Sequence, residues 1–224
     1  MAEEPSRGPS DASLFLTTEH FTLSAARSAT VAEINARLQL YIGALTGTIV
    51  SLALVAQISR VGPVFFTFAL VLLPVNYLLG LATFGRLVQA WTEWFRATQG
   101  MNRIRHYYVE HAPEIGPYLV FPTSDDPFIT LGGVGIVERR WWSGFVTAPA
   151  LIMIINGVIA GVLGVLIGDL ASDGGTALPV ALGVALSFLS FGLLFLYGDR
   201  WVRRQLATVD VRFPYDDQPG PHGE

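Results

Sequence analysis

Residues 141–168 read WWSGFVTAPALIMIINGVIAGVLGVLIG, 28 positions without a single Asp, Glu, Lys or Arg. About 20 helical residues cross a hydrocarbon core ~30 Å thick, so this stretch is long enough to span a bilayer. Its Gly, Ala, Leu, Ile and Val lack the strict alternation of a barrel strand and read as helix. Three further uncharged runs match it, 38–59, 61–85 and 174–198, each of at least 22 residues. The sequence therefore predicts an all-α integral membrane protein, with four transmembrane helices arranged as two hairpins, 38–85 and 141–198.

Outside these runs the chain divides by composition. Residues 1–13, MAEEPSRGPSDAS, are polar and proline-bearing and are expected to be disordered. Residues 14–37 are expected to form a long amphipathic pre-helix, capped at Thr17 or Thr18 and continuous with the first span. Glu33 and Arg37 stand at i, i+4 on it. The segment 86–140 reads as a helical extension ending near Pro113, a proline-rich loop to Pro127, and an extended or hairpin-like piece over 128–137. Residues 199–224 are expected to form a cytoplasmic tail whose part beyond Arg204 reads as an unstructured end. No cleavable leader is legible in the first 16 residues, so the first run is expected to act as its own insertion signal.

The arginines set the expected orientation. All 14 basic residues are Arg, and 13 of them lie in 1–37, 86–140 and 199–224. Short loops rich in Arg stay inside, which predicts cytoplasmic N- and C-termini and a cytoplasmic 86–140. Arg86, Arg139, Arg140, Arg200, Arg203 and Arg204, with Trp91, Trp94, Trp141, Trp142 and Trp201, are the expected anchors at that interface. Arg in place of every Lys fits a GC-rich genome, which makes the bacterial cytoplasmic membrane the expected location.

Composition removes much chemistry. Without cysteine there is no thiol nucleophile, disulfide or thiolate metal site. Without lysine there is no phosphate-loop lysine and no Schiff base. A net charge of −4 of mixed sign argues against nucleic acid. No Asp or Glu falls inside a span, against proton- or sodium-coupled transport, and all four histidines lie outside the spans. His106 and Glu110 share a helical face, but His111 is rotated away, so no metal site is predicted there. Asp125-Asp126 reads as a turn cap, and Gly132-Gly133-Val134-Gly135 as a turn rather than a phosphate loop. No cofactor is expected.

What remains is packing. Gly43-x-x-x-Gly47, Gly157-x-x-x-Gly161 and Gly164-x-x-x-Gly168 are seams where helices approach closely, within the chain or across a homo-oligomer. Pro74 and Pro149 are expected to bend the second and third spans. Asn76 and Asn156 are expected to bond across helices, to each other included, or to line a polar path with Thr46, Thr48 and Thr67. The leading expectation is an oligomeric, pore- or channel-like membrane protein with cytoplasmic regulatory helices. The alternative is a non-conducting adaptor that docks a cytoplasmic protein, and the third is a lipid-facing enzyme using His106, Glu110 or His111.

Overall fold

A computed structural model describes residues 9–132, 147–172 and 174–215. Among these residues the chain is helical without strands: α1 (Pro9–Ser59), α2 (Pro63–His111), a 3-10 turn (Pro113–Tyr118), α3 (Pro127–Gly132), α4 (Ala148–Ala171) and α5 (Ala177–Ala207). Each of α1, α2, α4 and α5 is long and apolar enough to cross a membrane. Their outward side chains are themselves apolar; Ile58, Val71, Val158 and Phe188 are all more than half exposed. Thr48, Asn76, Asn156 and Ser190 are buried between the helices, as expected of polar groups when lipid rather than water surrounds the fold.

Helix α1 starts earlier than the caps predicted. Thr17, Thr18 and Thr22 send their hydroxyls back to carbonyls four residues earlier, at 2.8–3.0 Å, which is mid-helix behaviour and not capping. Pro9 opens the helix, where a missing N–H costs nothing, and Asp11 favours the positive end of the helix dipole. Residues 9–13 are therefore helical; the rest of the expected disordered stretch lies outside the described residues. At the other end Arg60 and Val61 adopt positive φ, 50° and 56°, to reverse the chain within three residues. Val61 is β-branched, so the reversal is strained there.

Pro74 lies within α2 and does not end it. Pro149 corrects the sequence reading: it sits in the first turn of α4, which begins at Ala148, and so cannot bend the middle of a span. Arg139, Arg140, Trp141 and Trp142 lie outside the described residues. Of the piece expected to be extended over 128–137, residues 128–132 are corrected, because Pro127–Gly132 is a helix; 133–137, with most of the Gly132–Gly135 turn, lie outside the described residues. Asp126 caps it as expected of a turn aspartate, its Oδ1 accepting from the Phe128 and Ile129 amides at 2.8 and 3.4 Å.

The chain falls into two compact units. The bundle unit comprises 32–90 and 141–205, and the polar unit comprises 1–31, 91–140 and 206–224. In the bundle unit one buried cluster joins Tyr41, Phe84, Leu87, Val88, Ile152 and Leu194, and a second joins Ala69, Leu73 and Ile159. The glycines of α4 lie against α5. A Cβ on Gly164 would stand 2.7 Å from the Leu182 carbonyl oxygen, and one on Gly168 would stand 2.5 Å from the Pro179 Cα. Gly157 and Gly161 approach Ser187 and Gly183 less tightly, at 3.3–3.4 Å. The α4 seam is thus taken up inside the chain. Gly43 and Gly47 behave differently, with nothing within 4 Å of either Cβ position.

Candidate functional site

The polar unit is organised around Asp125, which is fully buried. Its sequence surroundings explain the placement. Along α2, Gln99, Asn102, Arg103 and His106 recur at i, i+3, i+4 and i+7 and make one polar stripe. Gln99 Nε2 donates to the Asp125 carbonyl at 2.9 Å, and Asn102 Nδ2 donates to the Ser124 carbonyl at 3.0 Å and to Thr130 Oγ1 at 3.2 Å. Arg103 Nε reaches Asp125 Oδ2 at 2.7 Å, and its Nη2 donates to the Asp210 carbonyl.

The remaining donors come from the end of the chain. The backbone N–H of Arg212 donates to Asp125 Oδ2 at 3.0 Å and that of Phe213 to Oδ1 at 2.8 Å. Ser124 Oγ and the Asp125 N–H both donate to the Phe213 carbonyl, at 2.9 and 3.3 Å. The Phe213 ring stacks on His106, with centroids 4.0 Å apart. Residues 210–213 are therefore docked, which corrects the expectation of an unstructured end beyond Arg204 for that part of it; 216–224 lie outside the described residues. Burial pushes the Asp125 carboxyl up, but the Arg212 and Phe213 amides and the Arg103 guanidinium outweigh it, so its pKa lies below the ordinary carboxylate range.

This arrangement fixes what the carboxylate can do. Two donors reach Oδ2 and one reaches Oδ1, so the Asp125 carboxylate ties α2 to the end of the chain. His106 is committed to Phe213, Glu110 is exposed, and His111 Nδ1 lies 2.9 Å from the Tyr107 carbonyl. Among the described residues no three His, Asp or Glu side chains gather as a metal site.

Several of the expected interface anchors also have partners within the chain. Arg86 grips Glu33 through two bonds of 2.8 Å, Nε to Oε1 and Nη2 to Oε2, and Arg37 Nε reaches the same Oε1 at 2.8 Å. The Arg86 hydrogen bonds, and then that of Arg37, lower the Glu33 pKa to about 2. Trp94 lies beneath the Arg27 guanidinium at 5.3 Å, and Trp91 stacks on Phe95. Arg105 donates to Asn102 Oδ1 at 2.7 Å; burial, with Arg27 nearby, lowers its pKa.

In the bundle unit Asn76 and Asn156 both bond across helices, though not to each other. Asn76 Nδ2 donates to Thr48 Oγ1 at 2.6 Å. Asn156 Oδ1 accepts from the Tyr41 hydroxyl at 3.0 Å, and its Nδ2 lies 3.4 Å from the Tyr77 carbonyl. Gly80 makes room for that amide: a Cβ there would stand 2.0 Å from Asn156 Oδ1. Tyr77 and Ser190 share a further bond of 3.0 Å. Thr46 and Thr67 point outward and do not join these residues.

Sequence reasoning missed the Asp125 centre because it took this part of α2 by its aromatic face. The polar stripe at 99, 102, 103 and 106 was the available signal. Comparison with known proteins found no matching family model, curated protein or solved structure.

Proposed function

We propose that this chain is a non-conducting membrane adaptor, in which a lipid-embedded bundle carries a cross-braced polar unit as a docking surface for a soluble protein. The observation that carries this reading is the way polar groups are spent in the bundle. Thr48, Asn76, Thr83, Asn156 and Ser190 are the buried polar side chains of 32–90 and 147–205; each makes a hydrogen bond within the chain, and one buried atom among them, Asn76 Oδ1, has no partner. A conduction path needs polar groups facing water, and four of these five, Thr48, Asn76, Asn156 and Ser190, instead bond from one helix to another. The polar unit has the opposite character. Asp125 rigidifies the stretch from which Tyr118, Val120 and Phe128 project, each more than three-quarters exposed. Rigid aromatic and aliphatic side chains in the open are the usual anchors of a protein interface.

On this reading the arginine-rich side, and with it the docking surface, faces the cytoplasm of a bacterium. Planar-bilayer recording of the purified chain is expected to be silent at all voltages. A photo-crosslinker at Val120 in cells is expected to give one discrete adduct with a soluble protein, lost when Asp125 is replaced by Ala. Steady unitary currents would overturn the proposal.

One observation favours a second reading. Gly43, Thr46 and Gly47 form an exposed small-residue patch on α1, open to another copy of the chain. Several copies meeting there would set Thr46 around an axis as a pore. Under this reading Gly43→Leu disperses an oligomer seen by native mass spectrometry, and Thr46→Val reduces current; under the adaptor reading neither property exists to be lost.

A further inference from the structure

The inner-facing end of α5 carries a groove of about 390 Å³ lined by Leu193, Leu196, Tyr197, Arg200, Trp201 and Arg204. It has two chemically distinct ends. Leu193, Leu196 and Tyr197 are each about half exposed and lie in the last turns of the apolar run. Arg200 and Arg204 follow one and two turns later on the same stripe, where the hydrocarbon gives way to headgroups.

The two arginines differ from their neighbour. Arg203 is neutralised by Asp199, its Nε 2.7 and 2.9 Å from the carboxylate oxygens. No ion pair to Arg200 or Arg204 occurs among the described residues. The groove wall is also held in place. Tyr197 stacks with Trp201 and leans on Phe84, with 6.3 Å between centroids in both cases, and Trp201 packs on the buried cluster around Tyr41 and Phe84.

We propose that this groove binds one anionic phospholipid, its phosphate held by Arg200 and Arg204 and an acyl chain lying along Leu193 and Leu196. Guanidinium groups match phosphate geometry with paired hydrogen bonds, and two cations one turn apart favour a headgroup of net negative charge. The apolar half of the groove has no use for a free phosphate, which commits the occupant to a lipid. The inference depends on the four-span reading and is independent of the adaptor role.

Native mass spectrometry of the full chain in detergent, titrated with phosphatidylglycerol or phosphatidylcholine, tests it. Phosphatidylglycerol should be retained as a single tight adduct, and phosphatidylcholine should not. The Arg200→Gln/Arg204→Gln chain should lose affinity for phosphatidylglycerol by roughly 25-fold, about five-fold per arginine. Arg203→Gln should leave it unchanged, and Arg200→Lys/Arg204→Lys, which keeps the charge but loses the paired hydrogen bonds, should fall between the wild-type chain and the Gln pair. Thermal unfolding of the wild-type chain gives a reading that needs no variant, with phosphatidylglycerol raising Tm further than phosphatidylcholine. Equal retention of the two lipids, equal Tm shifts, or an unaltered double variant would overturn the site. Displacement of the lipid by millimolar inorganic phosphate would overturn the lipid assignment in favour of a small-anion site.

Discussion

The bundle unit and the polar unit solve the same problem, holding distant stretches of one chain together, with opposite materials. The bundle relies on bare backbone contact and a few neutral hydrogen bonds: Gly164 and Gly168 against α5, Tyr41 to Asn156, Asn76 to Thr48. The polar unit relies on a buried charge, with four donor groups converging on the Asp125 side chain and its carbonyl from α2 and the chain's end. In lipid there is no water to release, so close approach of small residues does what apolar burial does elsewhere. In the polar unit water competes for every donor, and a buried carboxylate with three converging donors makes the tie specific. The two units should therefore fail independently and for different reasons.

The largest effect should come from Asp125→Ala. It leaves the Arg103 guanidinium and the Arg212 and Phe213 amides without their acceptor, a loss of about 3–5 kcal/mol for a broken buried charge pair. Hydrogen exchange should show the Arg212 and Phe213 amides losing protection while amides of α4 keep theirs. Loss of protection in both places would break the distinction between the units.

Gly80→Ala is the counterpart in the bundle. The new methyl group occupies the place of the Asn156 amide and should cost about 1–3 kcal/mol by overpacking, read from unfolding in mixed micelles. Adding Asn156→Ala should recover part of that loss, since the two positions share one space. Strict additivity would show that Gly80 matters for some other reason.

Acid should act through the carboxylates. Glu33 is held below its ordinary value, so the stability it lends is complete above pH 4.5 and drains away as pH falls towards 2. Asp125 has the same sign, and its hold on the chain's end weakens on acidification. Neutral ties such as Tyr41 to Asn156 should not respond over that range. A thermal melt followed from pH 6 to 2.5 in wild type and Glu33→Gln should converge at the acid end. The smallest effect is expected for Tyr41→Phe, about 0.6 kcal/mol, the typical worth of one hydrogen bond between membrane helices.

These contrasts also explain what could be read from the chain alone. Long uncharged runs reveal membrane-length helices because the bilayer imposes a length and a polarity that are local in sequence. The partners of Asn76 and Asn156 follow in kind, since an amide in lipid must bond across to something, but the choice of Thr48 and Tyr41 depends on helix register. The helix start at Pro9 escaped because threonines that look like caps also serve mid-helix. The docking of 210–213 escaped for a deeper reason. Asp125 meets its amide donors 87 and 88 residues further on, and no local pattern near Arg212 or Phe213 announces a carboxylate waiting for them.

That separation has a consequence for biosynthesis. A ribosome adding about 5–20 residues per second needs roughly 4–18 s to travel from Asp125 to Phe213. Throughout that interval the carboxylate has only Arg103 for company, and the polar unit stays open. Closure is thus a post-insertion event, and a polypeptide truncated before Arg212 would present an unlatched unit to membrane quality-control proteases.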